Sequence, residues 1–267
     1  PSRRLSEPTF VADPLAATAG SDVHGVCVNG TAVNSTTIGL MRRHYGIPSG
    51  AGSPHVAAWF LTPSDNSHSA ADLATFQALY GLNATSVSTA CANSKGQCDG
   101  SLDPDGLEAN LDAQYLSGSS PLAHTLEQTF DELANDDCHG PECWLGDLVE
   151  CATDACGSLG SLSTCSYDPC FGKPPPSVIS ISWGVPEIDL PPAQAIIFNQ
   201  HAVHLALLGV TLVAASGDGG AAGIYPGVGG ENAYHQICGN TYQPLFPAAS
   251  PYVTSVGATQ GVETGSA

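Results

Sequence analysis

The sequence predicts an α/β protein built on a mostly parallel, doubly wound sheet with helices on both faces. Three observations lead there. Near-continuous apolar runs at 56–61, 178–183 and 210–215 have the composition of strands buried on both sides. Helical periodicities alternate with these runs, as expected of βαβ units. Gly and Pro mark the boundaries, at Gly81, at Pro191-Pro192 and at Gly209. Hydrophobic residues make up 42% of the 267 residues, enough for a sizeable core, which excludes a disordered chain.

Taken in order, residues 1–26 lack periodicity and read as an extended or partly ordered N-terminal segment. Residues 33–46 read as a helix in which Val33, Ile38, Met41 and Tyr45 share a face, with Ser35 or Thr36 as N-cap. After the strand at 56–61, Ser69 opens a helical pattern carried by Leu73, Phe76, Leu79 and Tyr80 and stopped by Gly81. Asp103-Pro104-Asp105 precedes a helix over 105–117 with Leu107, Leu111 and Tyr115 along one stripe. A further helix is expected over 121–134. The stretch 136–176 holds six of the ten cysteines and reads as a disulfide-rich surface insertion. Beyond it come a strand at 178–183, a helix from Pro191-Pro192 to about Leu208, and a strand at 210–215. A turn-rich loop at 244–251 leads to a last strand at 252–256. Ligand sites of such sheets lie beyond the carboxyl ends of the strands, which singles out the loops at 183–187 and 216–220.

Charge and cysteine usage bound the function. Six Lys plus Arg oppose 25 Asp plus Glu, a formal net charge of −19. Such a surface repels phosphate backbones and excludes nucleic-acid binding. No apolar run approaches the ~20 residues needed to cross a bilayer, so the chain is not expected to be transmembrane. Protonation of carboxylates would relieve the self-repulsion, which matches the chain to acid better than to neutral pH. No paired C-x2-C knuckle appears and the only histidine near the cysteine cluster is His139, so the cysteines read as disulfides and not as a zinc site. With sequons at Asn29, Asn34 and Asn83, they point to the secretory route and an extracellular or lysosomal/vacuolar location.

Glu108 and Asp112 stand four residues apart on a helix, which puts both carboxyl groups on one face. They are either a solvated acidic face or a pair sharing a proton, able to act as general base and supporting partner at low pH. Asp218 follows a buried strand in a Gly-rich turn. It either shapes the loop as an Asx-turn residue or, protonated, donates to a developing oxyanion. His201 and His204 lie at i, i+3 on the long helix without a convincing third metal ligand, so they read as ordinary helix histidines and no metal site is assigned.

Four segments together resemble the sedolisins, the serine-carboxyl peptidases that include tripeptidyl peptidase. Leu107-Glu-Ala-Asn-Leu-Asp-Ala-Gln-Tyr115 is similar to their Glu-x-x-x-Asp helix. Ser180-Ile-Ser-Trp-Gly184 is similar to the strand before their substrate cleft, and Ala215-Ser-Gly-Asp-Gly-Gly-Ala221 to their oxyanion-aspartate loop. Phe246-Pro-Ala-Ala-Ser-Pro-Tyr-Val-Thr-Ser-Val-Gly-Ala-Thr259 follows a further family segment. The resemblance covers roughly 33–125 and 177–259 and makes 27–267 the N-terminal part of a peptidase domain.

The resemblance implies a subtilisin-like doubly wound fold and an acid-active endopeptidase or tripeptidyl peptidase. Glu108 would be the general base, Asp112 would hold and proton-couple it, and Asp218 would line the oxyanion hole. Ser182, Trp183, Gly184, Ser216 and Gly217 would contact the peptide or protein substrate. Gly219 stands where the family usually has serine, and Ala258 where it usually has glycine; neither removes a catalytic group.

The family's nucleophile lies in a downstream Gly-Thr-Ser motif, which these residues lack. The resemblance therefore implies the heavy chain of a two-chain enzyme. A C-terminal light chain would carry the serine and the family's calcium site, with Cys238 as a candidate interchain disulfide. The alternative is a catalytically inactive sedolisin-derived structural or binding protein of an extracellular assembly.

Overall fold

In the computed structural model, residues 10–11, 25–28, 31–34, 37–48, 52–63, 66–90, 107–130, 176–220 and 242–259 are described. Strands β1 (Phe10–Val11), β2 (Gly25–Val28) and β3 (Thr31–Asn34) form a small antiparallel sheet, with Phe10 opposite Val28 and Val26 opposite Val33. Helix α1 (Ile38–Tyr45) therefore starts later than the periodicity predicts, because Thr31–Asn34 finds strand partners in β2. Its N-cap is Thr37, not Ser35 or Thr36, and the Thr37 hydroxyl accepts from the Leu40 N–H at 3.1 Å.

The central sheet has six parallel strands. In chain order they are β4 (Ala57–Pro63), β5 (Ser88–Ala90), β6 (His124–Phe130), β7 (Val178–Ile181), β9 (Thr211–Ala215) and β11 (Thr254–Val256), with β8 (Val185–Pro186) and β10 (Leu245–Phe246) pairing separately. Across the sheet the order is β5-β6-β4-β7-β9-β11. The chain winds one way from β4 to β5 and β6, then the other way from β7 onward. This is the doubly wound topology expected, with its switch point between β4 and β7.

Helix α2 (Ala70–Leu79) is N-capped by Ser69, as its sequence predicts, the hydroxyl accepting from the Asp72 N–H at 3.2 Å. Helix α3 (Leu107–Ser119) packs against β4 and β6, and α4 (Pro192–Leu207) lies on the opposite face. The two faces follow from the two-residue period of β4. Trp59 and Leu61 join Ile179, Ile181, Leu212 and Ala214 beneath Phe198, Ala202 and Leu205 of α4. Phe60 and Thr62 point to the α3 side.

Two expectations fail here. The helix expected over 121–134 is not formed by its described residues, 121–130; His124–Phe130 is strand β6, paired on one side with β4 and on the other with β5. Leu122, Leu126 and Phe130 recur every four residues, which suits a helix but also equals two strand steps on one face. Sheet neighbours on both sides decide between them. The stripe Leu107-Leu111-Tyr115 is also not the packed face of α3. Leu107 is 77% exposed and Leu111 49%, whereas Ala109, Ala113, Ser117 and Gly118 are buried. Small side chains let the helix backbone approach the sheet closely, and Leu111 is left at the rim. Most of 1–26 and all of 136–175, with the proposed insertion, lie outside the described residues.

Candidate active site

Helix α3 brings Glu108 and Asp112 to the carboxyl ends of β7 and β9. Its far end is tied by the Arg42 guanidinium of α1, which donates to the Gly118 carbonyl at 2.7 Å and puts positive charge at the helix C-terminus. Directly after β7, the Ser182 hydroxyl donates to Asp112 Oδ1 at 2.7 Å. Asp218 follows β9 and is exposed. A cleft of about 250 Å³ is lined by Glu108, Leu111, Asp112, Ser182, Trp183, Gly184, Gly217, Asp218 and Leu245. An adjoining cleft of about 320 Å³ shares Ser182, Gly217 and Asp218 and adds Ser216 and Gly257.

The loop sequences are explained by crowding at this point. A side chain at Gly184 would bring its Cβ within 2.7 Å of the Phe246 carbonyl oxygen, across the β8–β10 pair. Gly217 has φ +92°, and a Cβ there would overlap the Leu245 side chain. Glycine at both positions lets β10 close against the loops after β7 and β9.

Burial raises two of these carboxyl groups above the ordinary carboxylate range. Burial pushes Asp112 up to about 7; the Ser182 hydrogen bond opposes this, and the nearby charges of Glu108 and Glu127 add to it. Burial also raises Glu108, again opposed by Ser182 and reinforced by the charge of Asp218. Asp112 Oδ1 accepts from Ser182, and Oδ2 is buried with no hydrogen-bond partner among the described residues. The Trp183 indole N–H, also on the cleft, is in the same condition.

All three predicted catalytic carboxylates thus meet in one cleft, together with Ser182, Trp183, Gly184 and Gly217, while Ser216 lies in the adjoining one. Asn83 is exposed after α2 and Asn34 lies in β3; Asn29 and Cys238 fall outside the described residues. His201 and His204 stack edge to face with ring centroids 6.2 Å apart. Among the described residues no group of three or more His, Cys, Asp or Glu is placed to hold a metal ion. No described helix is long and apolar enough to cross a membrane.

No family model matches the chain. The chain is 40% identical over 108 residues to Kumamolisin of Bacillus sp. (strain MN-32), covering 40% of this chain and 17% of that protein. It is 37% identical over 157 residues to Aorsin of Aspergillus oryzae, covering 56% and 22%. It is 31% identical over 157 residues to Tripeptidyl-peptidase SED2 of Arthroderma otae, covering 58% and 24%. Among solved structures, Pseudomonas sedolisin (serine-carboxyl proteinase) complexed with two molecules of pseudo-iodotyrostatin shares the fold. The TM-score is 0.52 at 22% identity, covering 79% of this chain and 50% of that one. In sequence the chain is therefore similar to these peptidases, and in fold to a sedolisin. It spans between 17% and 24% of the length of these three relatives.

Two residues near this site escaped the sequence reading. Glu127 is fully buried beside the Asp112 region, and His68 pairs with it. In the helix expected over 121–134, Glu127 would have been an ordinary polar position. A glutamate inside a strand buried between two neighbours is the signal that reveals it, and the register of β6 is needed to see it.

Proposed function

We propose that this chain supplies the carboxylate machinery of an acid-active serine-carboxyl peptidase. The observation that carries the reading is the meeting of Glu108, Asp112 and Asp218 on one cleft beside Ser182, at the carboxyl ends of β7 and β9. Glu108, ionised, takes the proton of the attacking serine hydroxyl as its oxygen bonds to the peptide carbonyl carbon. Asp112 holds Glu108 in a proton-sharing pair. Asp218 lines the hole that receives the oxyanion that forms. Glu108 then returns the proton to the departing amine as the C–N bond breaks. A general base with a raised pKa is suited to work in mild acid, where an ordinary carboxylate would be too weak a base. Ser182, Trp183, Gly184, Ser216 and Gly217 flank the substrate chain.

The serine and the calcium site lie outside these residues, either in continuing polypeptide or on a separate light chain joined through Cys238. The greater length of the relatives supports that placement. The cysteines, sequons and acid chemistry fit an extracellular or lysosomal/vacuolar protein.

The test is peptide hydrolysis by the full-length protein between pH 3 and 7, with intact mass before and after reduction. Wild-type turnover in acid is expected, with Glu108→Gln lowering kcat by at least ~10²-fold without loss of folding. A folded wild-type protein inactive throughout this range would overturn the reading in favour of a structural or binding role.

A further inference from the structure

Resting on that peptidase reading, we propose that Glu127 and His68 form a positioning latch for the helix that carries Glu108 and Asp112. The Glu127 carboxylate, fully buried, gathers donors from three separate places. Thr62 of β4 donates at 3.2 Å and Thr89 of β5 at 3.0 Å. The segment before α2 donates twice: the His68 backbone N–H at 3.0 Å and its ring Nδ1–H at 2.6 Å, with the ring only 4% exposed and tilted against Phe60. One side chain thus fixes the segment 66–69 to the sheet.

That segment in turn holds the first turn of α3. Asn66 Oδ1 accepts from the Ala109 N–H at 3.4 Å, and the Ser69 N–H donates to Asn110 Oδ1 at 2.9 Å. These two residues directly follow Glu108. Asn66 also satisfies an N-terminal helix N–H that has no intrahelical partner. A chain of named contacts therefore runs from the sheet interior through Glu127, His68 and Asn66 to the backbone beside the proposed general base.

A buried carboxylate is poor evidence for stability, since well-packed apolar groups serve as well. Its distinctive property is direction: it accepts only from donors in fixed places, so it specifies where the segment sits. The Glu127 charge also acts on Asp112, raising its pKa further. Glu127 and His68 touch no reacting atom in this scheme; they act through the helix.

Hydrogen exchange and steady-state kinetics on the full-length protein test the latch. His68→Asn keeps a donor near the Nδ1 position, whereas His68→Leu removes it. Exchange across 107–113 should be at least tenfold faster in His68→Leu and in Glu127→Gln than in wild type, with 178–181 unchanged. His68→Asn should stay near wild type. kcat should fall about tenfold in the two disruptive variants with KM within twofold, and His68→Asn should recover it. If Glu127→Gln does not fold, the two His68 variants decide alone. Wild-type exchange across 107–113 in folded His68→Leu would overturn the latch, as would equal kcat in active His68→Leu and wild type. A wild-type protein without peptidase activity would defeat the peptidase reading instead, and the exchange result would still decide the latch.

Discussion

The Ser182 hydroxyl donates to Asp112 Oδ1 at 2.7 Å, tying the end of β7 to the middle of α3 across the proposed cleft. The bond joins the two halves of a doubly wound sheet close to its switch point. It also opposes the burial that raises both Glu108 and Asp112. Removing it as Ser182→Ala should raise both carboxyl groups further. Since Glu108 must be ionised to act as base, the acid limb of kcat/KM should move to higher pH. A pH–rate profile of the full-length enzyme checks this, and an unmoved limb would refute it.

Asp112 makes stability depend on pH. Its carboxyl rises from 3.8 to about 7 on folding. Between those values the folded protein holds a proton that the unfolded chain releases, so stability falls as pH rises. The contribution, on the order of a few kcal/mol, is complete below about pH 4 and lost through about pH 7. Denaturant unfolding from pH 4 to 8 should show that decline, and Asp112→Asn should flatten it. An equally steep decline in the variant would assign the effect to other groups.

Asp218→Ala should lower kcat of the full-length enzyme by ~10²–10³-fold with little change in KM. The carboxyl is exposed and lines the cleft beside Glu108. A change confined to KM would make it a loop-shaping residue.

Gly217→Ala combines two penalties: an alanine at φ +92°, and a Cβ that overlaps Leu245. Together they should lower stability by about 1–3 kcal/mol, read from denaturant midpoints. Adding Leu245→Ala should recover none of the backbone part, so the double variant should stay below the Leu245→Ala single variant. Equal stability of those two would show that the backbone conformation carries no cost.

The sheet was legible in the sequence where composition allowed one reading. The apolar runs feeding β4, β7 and β9 are too short for helices and too uniform for half-exposed strands, and the Ser69 cap announces α2. His124–Phe130 was not legible, because spacings of four suit one helix face or alternate pairs of one strand face. Local propensity cannot break that tie; hydrogen bonds from β4 and β5 do.

By itself the sequence determined the α/β rhythm, the acidic balance, the Glu108–Asp112 spacing and the four segments that resemble the sedolisins. These depend on order along the chain and on residue type. Only the tertiary structure decided that Asp218 and Ser182, 110 and 70 residues from Glu108 and Asp112 respectively, share their cleft, and that Glu127 is buried beside them. Burial and proximity arise when strands distant in sequence become neighbours in the sheet. That assembly, rather than any local motif, raises the carboxyl pKa values on which acid catalysis would depend.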